Sequence, residues 1–224
     1  MENYVSVLQK SPLFSGLSDA DIEKLSACIS AREKQAKREE FIFRAGDAVR
    51  HVYLILSGSM HIIDEDFWGN RTLIETMTAG TLFGEAYALT SAPRHLVGVI
   101  AAEDSSILEI DPVRLFETCA NGCACHGTLT GNAAHILAKK IVRLTEKLGH
   151  IVQRTTREKI LSYLTKCARE AQSSDFYIPY SRQQLADYLC VDRSALSHEM
   201  GRLAGRGIIR YRKNHFELPD VELR

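Results

Sequence analysis

The sequence predicts an α+β chain in three parts. An antiparallel β-roll (jelly roll) is expected over residues 1–127, one long helix over 128–153, and a winged helix-turn-helix over 154–224. Three observations predict this. Between Ala31 and Asp111, short apolar runs recur roughly every ten residues with turn residues between them, the pattern of an antiparallel barrel or jelly roll. Leu137, Ile141, Leu144, Leu148 and Ile151 follow at steps of four, three, four and three. Two short capped segments separated by a tight break then precede a hairpin signal.

Taken in order, Pro12–Leu17 reads as a turn. Ser18 caps a helix that runs through Cys28, with Asp21 three residues on as in a capping box. The predicted strands are Glu40–Phe43, His51–Leu56, Ser59–Asp64, Arg71–Met77, Leu96–Ala101 and Ser105–Ile110, punctuated by Gly46, Gly58, Gly69, Gly80 and Pro93. Asp64, Glu65 and Asp66 fall in a hairpin turn and read as solvated. From Thr128 to Gln153 the heptad seam of Leu137, Ile141, Leu144, Leu148 and Ile151 suits a two-stranded coiled coil, hence a homodimer. A helix packed on its own barrel is the alternative. Thr155 and Glu158 form a second capping box, and the helix it opens runs to Glu170 with Ile160, Leu161, Leu164 and Ala168 apolar. A polar loop and a short strand, Phe176–Ile178, lead to Pro179.

Ser181-Arg182-Gln183-Gln184 is a third capping box, opening a helix with Leu185, Ala186 and Leu189 apolar. Cys190-Val191 is the break, and Asp192 is placed to cap the next helix, Arg193–Ala204. There Leu196, Met200 and Leu203 make one apolar stripe. Arg193, Ser194, Ser197 and His198 fall on the other side near the N-terminal end. A helix held by such a stripe and presenting its first polar side chains can read base edges in the major groove. Ile208–Tyr211 and His215–Leu218 read as a hairpin with Arg212 and Lys213 at its tip, suited to phosphate contacts. Ser181, Arg182 and Gln183 complete the candidate DNA-contact set. The plainer alternative is a helical hairpin with solvated arginines.

Composition agrees with this division. The chain has 224 residues, 45% apolar and 25% charged, ordinary for a globular protein. No apolar run approaches the length of about 18 residues that a membrane span needs. The first residues carry no signal-peptide pattern, so a cytoplasmic protein with no membrane partner is expected. Formal net charge is zero, but unevenly spread. Residues 1–153 hold 15 Lys/Arg against 19 Asp/Glu, and residues 154–224 hold 13 against 9. A basic C-terminal third on an acidic body fits a phosphate-binding module on a carrier. There is no Walker-type loop, no Gly-x-Ser-x-Gly and no His-Glu-x-x-His, so an enzyme is not expected.

Six cysteines are present. Cys119, Cys123 and Cys125 cluster beside His126, donors that at such spacing can hold zinc, an iron–sulfur cluster or haem iron. Small thiols packing the start of a helix are the alternative, and no metal is assigned. Cys167 and Cys190 fall on helical faces and are expected in the core.

The run Ser181–Met200 resembles the helix-turn-helix of the Crp–Fnr family of regulators. Phe83-Gly84-Glu85 with Ala92-Pro93-Arg94 resembles that family's phosphate-binding cassette. The order of parts is also that of the family. The resemblance implies a cyclic-nucleotide-binding-like β-roll and a homodimer on a two-fold-symmetric operator in double-stranded DNA. It also implies a hinge near Arg154–Thr155 and contact with RNA polymerase. Arg193 matches the family pattern, whereas Ser194 replaces a common Glu and His198 a common Arg, so a different operator is expected. In the pocket Gly84, Glu85 and Arg94 match. His95 stands where nucleotide binders carry a small donor, and Leu96 replaces a usual Ala. On the long helix Thr145 is a conservative match to a Ser, but Leu144 replaces the Thr that reads adenine. A small or anionic effector other than cyclic AMP is therefore expected; the alternatives are a cyclic nucleotide, an inherited, empty pocket in which Arg94 pairs with Glu85, and a redox signal sensed through the cysteine cluster. The family's iron–sulfur motif does not carry over, because Cys28 is the one cysteine near the N-terminus. A binding module acting through protein partners is the alternative to a DNA-binding regulator.

Overall fold

A computed structural model of the chain describes residues 5–90, 97–116 and 124–219. The chain divides into two compact units, Met1–Ala138 and Lys139–Arg224. The long helix expected over 128–153 runs Ala124–Ile151 and is shared between them.

The first unit opens with α1 (Val5–Lys10), a single 3₁₀ turn at Pro12–Phe14, and α2 (Asp19–Cys28). The predicted capping box forms: the Asp21 N–H donates to Ser18 Oγ and the Ser18 N–H to the Asp21 carboxylate, both at 3.3 Å. Eight strands follow: β1 (Arg32–Ala36), β2 (Phe41–Phe43), β3 (Val52–Ser57), β4 (Ser59–Glu65), β5 (Arg71–Thr78), β6 (Leu82–Phe83), β7 (Gly98–Ala101) and β8 (Ser105–Ile110). They form two four-stranded antiparallel sheets, ordered β1-β8-β3-β6 and β2-β7-β4-β5. Between β6 and β7 lies α3 (Glu85–Thr90), and after β8 comes α4 (Pro112–Phe116).

Strand β3 explains the architecture. Its run Val52–Leu56 is continuously apolar because both faces are covered, and alternate side chains serve different cores. Tyr53 and Ile55 join Phe43, Met60, Phe83, Val99 and Ile107 in a core drawn from both sheets. Val52, Leu54 and Leu56 join Phe14, Ile22 and Leu25 of the helical layer, together with Leu129 and Ala133 of the long helix, α5. Asn132 of α5 ties this layer down, donating to the carbonyls of Leu13 and Ser15 at 3.0 and 2.8 Å. At the β4–β5 turn, Asp66 is a structural acid: its carboxylate accepts the N–H groups of Trp68 and Asn70, each at 2.9 Å.

The second unit contains the C-terminal part of α5, then α6 (Thr156–Ala171), β9 (Asp175–Tyr177), α7 (Arg182–Tyr188), α8 (Arg193–Gly205), β10 (Arg210–Arg212) and β11 (His215–Glu217). The hairpin gains a third strand: the sheet order is β10-β11-β9, with Phe176 paired to Phe216. Ile160 and Leu164 of α6, Leu185 of α7, and Leu196, Met200 and Leu203 of α8 share one core with Phe176 and Phe216. The capping boxes at Thr155 and Ser181 both form.

Two expectations are corrected. Asp192 occupies the N-cap position of α8, but its side chain makes no cap hydrogen bond. Cys190 is exposed rather than in the core, because it lies beyond the last turn of α7 with φ at 51°. Cys167 is half-buried.

Candidate functional site

On α8 the apolar stripe faces inward, with Leu196, Met200 and Leu203 almost completely buried. Arg193, Ser194, Ser197 and His198 are all exposed. The predicted base-reading set thus lies on the solvent side of a helix whose opposite side is locked into the core. Arg202, a turn further on, is engaged by Glu199 at 3.1 Å.

The helix start and the hairpin come together. A groove of about 450 Å³ is lined by Tyr180, Ser181, Arg182 and Gln184 on one side and by Lys213 and Asn214 on the other. Ser181 Oγ accepts the Gln184 N–H at 3.3 Å, and Gln183 Nε2 donates to Asp187 at 2.8 Å. Arg182 is used differently from the other candidates. Its guanidinium lies 4.9 Å over the Tyr211 ring and against Met200 Sδ, so it braces α7 against α8 and the hairpin. Burial presses its pKa below the usual arginine value. Arg212 and Lys213 are exposed at the hairpin tip, whereas Arg210 pairs with Glu217 at 3.0 Å. Basic groups at a groove mouth beside a helix start are placed to hold phosphate oxygens.

In the first unit, Gly84 has φ at +79°, and a Cβ there would lie 2.9 Å from Tyr53 Cδ2. Only glycine meets both conditions. Its carbonyl accepts the N–H groups of Tyr87 and Ala88 at 3.2 and 2.9 Å, which starts α3. Glu85 is buried in the first turn of that helix. Tyr53 is a site neighbour that sequence reasoning missed. Its ring stacks on Phe83 with centroids 5.1 Å apart, and burial, aided by Glu109, pushes its phenol pKa up to about 12. Arg94, His95 and Leu96 lie outside the described residues. Thr145 belongs to the second unit, where its hydroxyl donates to the Ile141 carbonyl at 2.9 Å.

Along α5, Ile141, Leu144 and Leu148 of the seam are 64%, 61% and 54% exposed. Leu137 and Ile151 are half-buried. Of the cysteine cluster, Cys119 and Cys123 lie outside the described residues. Cys125 is half-buried against the helical-layer core. His126 is buried, and neither ring nitrogen has a hydrogen-bond partner. Among the described residues, no group of three His, Cys, Asp or Glu side chains is arranged to hold a metal ion. Among them, too, no helix is long and apolar enough to cross a membrane.

Comparison with known families agrees with this geometry. Residues 33–121 match the cyclic nucleotide-binding domain, and residues 158–223 match the Crp-like helix-turn-helix domain. A cyclic nucleotide-binding domain followed by that DNA-binding module defines a transcription regulator rather than an enzyme. The chain belongs to the Crp–Fnr family. The Cyclic AMP receptor protein of Thermus thermophilus is 23% identical over 219 residues, 96% of each chain. The Anaerobic regulatory protein of Bacillus subtilis is 23% identical over 212 residues, 92% of this chain and 86% of that one. The crystal structure of the Thermus thermophilus Catabolite Activator Protein shares the fold, with a TM-score of 0.54 at 21% identity over 94% of both chains.

Proposed function

We propose that this protein is a homodimeric, sequence-specific regulator whose affinity for its operator is set by a small anionic effector in the β-roll. The observation that carries the reading is α8: one face is locked in the core and the other presents Arg193, Ser194, Ser197 and His198 to solvent. Two copies joined along Ile141, Leu144 and Leu148 cover apolar side chains worth about 1.5–3 kcal/mol each when fully buried. A two-fold dimer reads a two-fold operator with half-sites one helical turn apart. Lys213 and Arg212 hold the backbone, and α8 reads the bases. Bound at a promoter in the cytoplasm, the dimer contacts or blocks RNA polymerase.

In the effector site the backbone at Gly84 and the guanidinium of Arg94 hold an anion, and Glu85 accepts from a hydroxyl of the ligand. Cyclic AMP is not that ligand, because an apolar Leu144 stands where an adenine-reading hydroxyl is needed. The test is binding of the full chain to a duplex carrying the upstream region of its own gene, at fixed salt. Sedimentation gives the stoichiometry, and effector candidates are added one at a time. The expected result is a dimer that prefers this duplex over a scrambled one by at least about 1000-fold. A monomer, or equal affinity for both duplexes, overturns the reading. Micromolar cyclic AMP binding that also tightens DNA binding overturns the effector assignment.

A further inference from the structure

The last turn of α5 buries a histidine against the DNA-binding head. His150 is 5% exposed. Its Nδ1 lies 2.8 Å from Ser162 Oγ on α6, and its buried Nε2 has no hydrogen-bond partner. The ring stands edge-on to Tyr163 of α6, at 5.7 Å and 87°, and lies 6.3 Å from Tyr188 of α7. Tyr163, Tyr188 and Tyr180 in turn pack on one another with centroids 5.0–6.0 Å apart.

The charges around this ring are already engaged. Lys166 of α6 pairs with Glu146 of α5 at 2.9 Å and with Glu170 at 3.2 Å. Lys147 of α5 lies 5.5 Å over the Tyr188 ring. Burial holds the Tyr163 and Tyr188 phenols and the Cys167 thiol above their ordinary pKa values, so they stay neutral. In the neutral imidazole whose Nδ1–H donates to Ser162 Oγ, Nε2 is a bare lone pair, and leaving it without a partner costs less than burying a charged N–H there. An imidazolium would aim a second charged N–H at Nε2 into a site that gives it no acceptor.

We propose that His150 is a positioning residue for DNA binding: as the neutral imidazole it latches the last turn of α5 onto α6 and α7, and a proton taken from solvent releases it. The latch matters because α5 runs from the first unit into the second, and His150 joins Glu146–Lys166 and Lys147–Tyr188 in holding its last turns to α6 and α7. The direction of the pH effect follows from which state binds the proton. Burial first, then Lys166, holds the imidazole below its ordinary pKa, against an opposing pull from Glu146 and Glu170. The latched state therefore binds fewer protons than the released one. The latch is fully formed above the ordinary histidine range, near 6.5, and weakens as pH falls below it.

The inference rests on the DNA-binding reading, and the test separates the two. Wild type and His150→Phe, which keeps the aromatic packing and removes the proton, are compared from pH 8 to 5.5. One arm is denaturant stability of the whole chain. The other is affinity for the duplex from its own upstream region. The ratio of the two affinities at pH 8 is the baseline, since the variant lacks the Ser162 hydrogen bond but keeps the packing. Between pH 6.5 and 5.5 the wild type should lose about three- to tenfold relative to the variant in both arms, since one proton changes an equilibrium by at most about tenfold per pH unit. Every other residue is the same in both proteins and cancels in the ratio. Parallel pH curves in either arm overturn the proposal. If the variant does not fold, the histidine ring resonances of the wild type decide: titration below the ordinary value supports the latch, and titration at or above it overturns it. If neither protein binds the duplex, the DNA-binding reading fails, while the stability arm still reads the latch.

Discussion

The two units hold their candidate contact residues in opposite ways. On α8, Arg193, Ser194, Ser197 and His198 stand in solvent, and nothing in the core depends on them. In the first unit Glu85 is buried, and Gly84 is fixed by a left-handed backbone and by Tyr53 behind it. The proposed recognition surface is attached to the fold, while the proposed effector turn is part of the fold. The teaching is mechanical. The α8 face can change by surface substitution at little structural cost, whereas the Gly84–Glu85 turn can change only together with its supports.

Three substitutions break or sharpen this contrast. The largest effect belongs to the hidden face of α8. Leu196→Ala should cost about 3 kcal/mol in stability through the cavity it leaves, read by urea denaturation. A loss well under about 1 kcal/mol would mean that the stripe is not what holds the helix. Next is Gly84→Ala, which combines the left-handed strain with a Cβ thrust at the Tyr53 ring. It should cost about 2 kcal/mol by the same measurement. A neutral result would show the effector turn to be as independent of the core as α8's outer face. The smallest structural effect belongs to Arg193→Ala. Stability should stay within about 0.5 kcal/mol, while discrimination for the operator should fall by about 1–3 kcal/mol in a competition assay at fixed salt. Loss of stability without loss of discrimination would reverse the comparison.

The same contrast governs what could be read from the sequence. The α8 face is encoded locally: a stripe at steps of four and three, with polar positions between, fixes both sides of one helix. The capping boxes at Ser18, Thr155 and Ser181 are likewise local and all form as spaced. Other features depend on distant neighbours. β1 is spelled Arg-Glu-Lys-Gln-Ala and carries no strand pattern of its own. It is an edge strand, organised by pairing with β8 from Arg32↔Glu109 to Ala36↔Ser105. β6 is only two residues long and exists because Leu82 and Phe83 pair with Leu54 and Tyr53. Tyr53 could not be linked to Gly84 from spacing, since some thirty positions separate them in the chain. Arg182 reads only as a candidate DNA contact, and its packing on Tyr211 and Met200 depends on residues far along the chain. Asp192 has the right residue type for a cap, but residue type alone does not orient a carboxylate.

Strand β3, covered on both faces, leaves one question of its own. In a half-buried strand, slipping by one position would exchange apolar for polar side chains, and the hydrophobic effect alone forbids it. Along Val52–Leu56 a slip exchanges apolar for apolar, so oil against water cannot choose the alignment. Something polar must. It is found at the strand's far end, where Gly58 turns with φ at +79° against Ser105, so closely that a Cβ there would sit 2.2 Å from the Ser105 oxygen. The Ser59 N–H donates to that oxygen at 3.2 Å, and the Ser105 hydroxyl donates to the Glu103 carbonyl at 2.8 Å. The most oily strand of the protein is therefore indexed by one serine and one glycine, two residues that contribute almost nothing to its core.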